Sequence, residues 1–160
     1  MRATGPTRRR FRGVADVAGS VLGIGLLGKG AGTVAAAAAA VAYWAIGGLS
    51  WQAGLAVASL LSIAGVASAA PVERLRGPDP REFVLDEVAG QCLALVGVAA
   101  DWRCVVTAFV LFRVLDIVKP WPLRRLESLP HGVGVVADDL AAGLIALPMV
   151  HGVAWWLGGA

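Results

Sequence analysis

The sequence predicts an all-α fold: a small polytopic bundle of about four to five transmembrane helices, preceded by a glycine-rich segment that is interfacial or re-entrant. Three observations carry this. At 160 residues the chain has the length of one domain, yet 58% of it is hydrophobic and 16% charged, with mean hydropathy +0.72, too apolar for an ordinary soluble domain. No charged residue occurs between Gly30 and Val72, room for two helices of about 20 residues each. The net charge of +3 comes largely from basic residues at the edges of apolar runs, where it reads as topology and not as a nucleic-acid footprint.

Taken in order, residues 1–13 form a basic cytoplasmic arm and residues 14–160 a single membrane-embedded domain. The basic start is followed by glycine-rich sequence, not by the apolar core of a signal peptide. Segment 14–33 holds too much glycine for a spanning helix. A first helix is expected over 34–49, with Trp44 and Trp51 near its far end, and a second over 51–70. The stretch 71–82, with three arginines and prolines at 71, 78 and 80, reads as a short ordered connection. A third helix follows over 84–100, a minimal far-side turn at 101–103, and a fourth helix over 104–118, stopped by Lys119-Pro120-Trp121-Pro122. The fifth covers 135–157, with Trp155 and Trp156 as a far-side belt.

Counting basic residues fixes the orientation. Five arginines in 1–13, three in 71–82 and Lys119, Arg124 and Arg125 in 119–134 stand against Arg103 alone on the other side. The first three groups are therefore cytoplasmic. Asp86 and Glu87 at the start of the third helix, Asp116 near the end of the fourth, and Asp138 and Asp139 near the start of the fifth then fall at one membrane level, joined by Lys29, Gly30 and Thr33.

Acids at that depth need a cause, since a carboxylate carried into hydrocarbon costs about 2.5–3.5 kcal/mol on insertion scales. Five of them would repel one another unless a cation sat among them, and hard oxygen ligands suit Mg²⁺. Mg²⁺ commonly bridges carboxylates and phosphate oxygens, which points to phosphoryl chemistry. Arg113 shares a helix face with Asp116, three residues on, while Lys29, Lys119 and Arg124 are cations that can neutralise a phosphate. Gly28, Gly30 and Gly32 would let backbone N–H groups approach an anion. Other patterns fail. Gly23-x4-Gly28-Lys29 has Gly30 where a P-loop needs Ser or Thr. Cys92 and Cys104 lie in apolar runs as packing residues, His131 reads as a loop or substrate-edge residue, and His151 as a packed or hydrogen-bonded side chain.

Three blocks carry a family resemblance: Asp79-Pro80-x-x-Phe83-Val84-x-Asp86-Glu87-x-x-Gly90-Gln91, Phe112-Arg113-x-x-Asp116-Ile117-x-Lys119-Pro120-Trp121-Pro122, and Leu129-Pro130-x-Gly132-x-Gly134-Val135-x-x-Asp138-Asp139-x-x-Ala142-Gly143. With them the chain resembles the phosphatidylglycerophosphatase A family from about residue 23 to 143. The resemblance implies a Mg²⁺-dependent enzyme of the bacterial inner membrane, with its site on the cytoplasmic face. It would convert phosphatidylglycerophosphate to phosphatidylglycerol, with no nucleic-acid partner and no indication of oligomeric state.

On this reading Asp86, Glu87, Asp116, Asp138 and Asp139 are metal ligands, and Asp86, Glu87, Asp116, Asp139 and Lys119 carry the chemistry. Lys29, Gly32, Thr33, Asp79, Arg113 and Arg124 meet the substrate. Attack by an activated water or formation of an aspartyl-phosphate are both open. Two departures stand out. Gly28 and Ala31 replace prolines of the family's amino-terminal block, which should loosen that loop, and His131 replaces a glycine. The rival readings are a diverged phosphatase acting on another lipid phosphomonoester and a small proton or ion transporter. A relay would place its acids near mid-helix.

Overall fold

The computed structural model describes residues 13–76, 80–129 and 132–158. Most of the basic arm, Asp79 and His131 lie outside them. The described residues contain helices and turns and no strand: α1 (Val14–Gly19), a 3₁₀ turn (Ile24–Leu27), α2 (Ala31–Ala45), α3 (Trp51–Arg76), α4 (Leu85–Ala94), α5 (Trp102–Val118), α6 (Leu123–Leu126) and α7 (Val133–Trp156).

Among the described residues two helices, where four or five were expected, are long and apolar enough to cross a membrane: α3 and α7, each with a 24-residue apolar stretch. Most of α3 is not core. Only 22% of its most apolar window is buried, and Leu60 and Ile63 are each 67% exposed, a face that water would disfavour and lipid would not. The third expected helix is the largest correction. It stops at Ala94 because Gly97 turns the chain with φ +67°, against the Trp51 ring that a Cβ there would meet at 2.3 Å.

Conversely, α3 runs through Pro71 into the expected connection. The neighbours of Pro71 explain it: Ala69 and Val72 are buried with Phe83, Leu85 and Val136, so packing offsets the missing donor. The glycine-rich segment expected to be interfacial or re-entrant contains one short helix, α1, and the 3₁₀ turn. Helix α5 begins at Trp102, two residues before the expected start, because Asp101 caps it, its Oδ1 accepting the Arg103 N–H at 2.8 Å.

Helix α4 is the hub of the bundle, touching α1, α2, α3, α5 and α7. It lies against α7 backbone to backbone. A Cβ on Gly143 would stand 2.3 Å from the Gly90 carbonyl oxygen, and one on Gly90 2.6 Å from the Asp139 carbonyl oxygen. Small residues permit such crossings in helical membrane proteins. No flexible side chain can yield at this contact, so Gly143→Ala is expected to cost about 1–3 kcal/mol, a typical overpacking penalty. Thermal unfolding in detergent checks it, and an unchanged midpoint would show that the two helices separate freely.

At the far end, the buried Tyr43 donates its hydroxyl to the Val98 carbonyl. Cys104 is buried there, Cys92 is part-buried, and both thiols are free. His151 is packed as expected: its ring meets Trp51 edge-on at 5.8 Å, and its Nδ1 lies 3.0 Å from the Leu147 carbonyl.

Candidate active site

A cavity of about 570 Å³ opens at one end of the bundle. The first turn of α4 supplies Asp86 and Glu87, the last turns of α5 supply Arg113 and Asp116, Lys119 caps that helix, and the second turn of α7 supplies Asp138 and Asp139. The loop from Gly28 into α2 closes another wall. All five acids singled out from the sequence therefore face one space, with Lys29, Gly32, Arg113 and Lys119. Thr33 stands one step behind, accepting a hydrogen bond from Arg113 Nη2 at 3.2 Å. Arg124 is not brought in: it lies exposed on α6, away from the lining.

Three carboxylates converge most tightly. Asp86, Glu87 and Asp139 each offer one oxygen within 4.8 Å of the others, and Asp86 and Asp139 are buried. At an effective dielectric of about 20, two full charges at such a separation repel by about 3 kcal/mol. Glu87 Oε2 is buried without a hydrogen-bond partner. The three oxygens lie close enough together to be drawn onto one hard divalent ion. Donor type, spacing and the orphaned oxygen all fit a hard divalent cation. Asp116 and Asp138 lie beside Asp139 as the next acids outward.

The cations are held in different ways. Arg113 Nη1 lies 2.5 Å from Asp116 Oδ2, a charge contact not aligned as a hydrogen bond, and both Nη1 and Nε lack an acceptor. Lys119 sits at φ +44°, an uncommon conformation for a side-chain-bearing residue, which aims its ammonium at Asp138 and at Glu127, 2.5 Å from the latter. Burial works against its charge, but these two ion pairs prevail and hold its pKa above the ordinary lysine value. It therefore stays protonated across any assay range. Lys29 is exposed at the rim and, among the described residues, has no ion-pair partner.

Glycine at two positions shapes the amino-terminal wall. Gly28 takes φ +90° and ψ −134°, which the proline of the family block could not adopt, so this loop follows a different path and is not simply looser. Gly32 abuts Glu87: a Cβ there would stand 1.9 Å from Glu87 Oε1. Glu127, Glu73 and Arg81 also line the cavity and were not singled out from the sequence. Gln91, one turn below Glu87 on α4, is completely buried with neither amide atom partnered. Its place in the Gly90-Gln91 block was the only signal.

Comparison with known proteins agrees with this geometry. The family model for phosphatidylglycerophosphatase A matches residues 17–154. A Bacteroides thetaiotaomicron protein provisionally named a phosphatidylinositol-3-phosphatase is 37% identical over 106 residues, which cover 64% of this chain and 67% of that protein. Phosphatidylglycerophosphatase A of Escherichia coli is 38% identical over 84 residues, covering 50% of this chain and 49% of the relative. That of Haemophilus influenzae is 35% identical over 81 residues, 49% and 50% respectively. The matched stretch thus spans about half the length of these two relatives. No solved structure matches the chain. With the family model covering nearly all of the described bundle, the chain belongs to the phosphatidylglycerophosphatase A family of phosphoric monoester hydrolases.

Proposed function

We propose that this chain removes the terminal phosphate of phosphatidylglycerophosphate, leaving phosphatidylglycerol, at the cytoplasmic face of a bacterial inner membrane and with Mg²⁺. The observation that carries the proposal is the convergence of Asp86, Glu87 and Asp139 within 4.8 Å in a cavity that also holds Arg113 and Lys119. These carboxylates, with Asp116 and Asp138 next to them, would hold a divalent cation, whose chemistry when bound would be charge neutralisation and acidification of a water.

The chain's own groups do the rest. Arg113, its guanidinium held by Asp116 and Thr33, lends fixed positive charge to the wall that a phosphate would meet. Lys119, clamped by Asp138 and Glu127, adds fixed positive charge where the trigonal-bipyramidal phosphate gathers negative charge. Glu87 Oε2, buried and unpartnered, is placed to take a proton from the attacking water. Lys29 at the rim meets the substrate on entry. The acids gather where three helices begin or end, not at mid-helix, and this favours headgroup chemistry over an ion relay.

Phosphate release from phosphatidylglycerophosphate in detergent micelles, with Mg²⁺ or EDTA, tests the reading. Release should fall by at least about 100-fold on chelation, the order expected when a metal's charge is lost from such a site. Turnover indifferent to EDTA would remove the metal from the reaction. Faster release from a phosphatidylinositol phosphate would move the substrate toward that named for the Bacteroides relative.

A further inference from the structure

A second cavity, about 210 Å³, lies in the seam between α2 and α5, and only apolar side chains line it: Ala37, Val41 and Trp44 on one side, Trp102, Val106 and Phe109 among those on the other. It shares no lining residue with the catalytic cavity but begins close to it along the same two helices. The hydrogen bond from Arg113 to Thr33 ties the two helices at the cavity wall, and Phe109 and Ala37 begin the groove one helical turn beyond those two residues. From there the helices run antiparallel in step, Thr33 to Trp44 on α2 and Arg113 to Trp102 on α5, each about 16 Å at 1.5 Å per residue. That is about half of a hydrocarbon core of about 30 Å, the depth of one leaflet. Val41 and Val106 are 61% and 50% exposed along this face, so the groove opens sideways.

We propose that the α2–α5 groove is the subsite for one acyl chain of the lipid substrate. This rests on the functional reading above and extends it from the headgroup to the tail. The groove starts one helical turn from a guanidinium on the catalytic wall, runs away from it for one leaflet's depth, and is lined by apolar side chains alone. A phosphoglyceride has the same layout, an anionic head followed by a chain. At about 210 Å³ the groove is smaller than the pockets of about 300–1,000 Å³ that enclose whole ligands, and it suits a chain lying along a seam. Both Val41 and Val106 are far from the carboxylates and outside the catalytic lining.

The test compares Val41→Trp and Val106→Trp with wild type on two substrates: long-chain phosphatidylglycerophosphate in micelles, and its deacylated, water-soluble headgroup. Leu60→Trp, on the exposed face of α3, is the control. Each buried methylene is worth about fourfold in binding, so filling the groove should raise KM for the long-chain lipid by about tenfold or more. Turnover of the deacylated substrate, and both activities of Leu60→Trp, should remain within about twofold of wild type on the same argument.

Equal losses on both substrates, or no loss on either, would overturn the subsite. So would a change in oligomeric state with both activities intact, since the groove would then belong to a second copy of the chain. A phosphatidylglycerol carrying a mid-chain diazirine gives a readout that needs no turnover. Labelling concentrated on residues 37–44 and 102–109, and weakened in Val106→Trp, supports the groove even if wild type releases no phosphate, an outcome that would sink the functional reading alone. Labelling spread evenly over α3 and α5 would refute it.

Discussion

Asp139→Asn is expected to lower phosphate release by about 10²–10³-fold, the range found when one preorganised electrostatic group is removed from a reacting centre. The side chain is 3% exposed and shares a space within 4.8 Å of Asp86 and Glu87. The substitution keeps the volume and hydrogen-bonding reach of the aspartate and removes its charge and one anionic oxygen. Stability should move the other way. Without an ion the three carboxylates repel, so losing one charge should leave the unfolding midpoint in EDTA unchanged or higher. Mg²⁺ should then raise the midpoint of wild type more than that of the variant, because an ion that binds only the folded state stabilises by mass action. Turnover near the wild-type level at saturating Mg²⁺ would take Asp139 out of the site.

Gly32→Ala should separate activity from stability more cleanly still. In the first turn of an ordinary helix this change helps, by up to about 1 kcal/mol of helix propensity. Here the new Cβ would stand 1.9 Å from Glu87 Oε1. What must yield is the tip of a flexible side chain, so the fold tolerates the change. The carboxylate, however, is displaced by an ångström or more, and such misplacement costs on the order of 100-fold in rate. Unfolding should therefore stay at or slightly above the wild-type midpoint while kcat falls by about two orders of magnitude. The companion Gly32→Ala with Glu87→Asp, whose shorter acid withdraws from the clash, should recover part of the loss. A fully active Gly32→Ala enzyme would mean that Glu87 works from some other position.

The acids were legible because charge in an apolar chain has few explanations. Asp86, Glu87, Asp116, Asp138 and Asp139 could be assigned to one level from loop charge and helix polarity alone, and the cavity brings them together. Arg113 followed from its helical spacing to Asp116, and that pair does form. Glu127 was not legible: it lies in a polar stretch after Arg124 and Arg125, where a glutamate normally means solvent, and only the fold turns it toward Lys119. Arg124 was the opposite case, a loop cation of suitable type that the chain leaves facing outward.

Helix number was misjudged for a related reason. Apolar length says how far a helix might run, while tertiary contacts decide where it stops. Gly97 against Trp51 ends α4 early, and the packing around Ala69 and Val72 carries α3 through Pro71. At Gly28 the absence of a family proline was visible, but the positive φ that now occupies the position was not.

The length of α7 sets one further property. From Asp139 to Trp156 the helix rises about 26 Å, a little less than a typical hydrocarbon core of about 30 Å. With the indoles of Trp155 and Trp156 anchored in one headgroup layer, Asp139 reaches the opposite boundary only in a thin or locally compressed bilayer. On the function proposed above, membrane thickness would then act on turnover. Vesicles of short-chain lipids should raise the cavity to the water's edge and speed turnover, and progressively thicker ones should draw it below the headgroups and slow it.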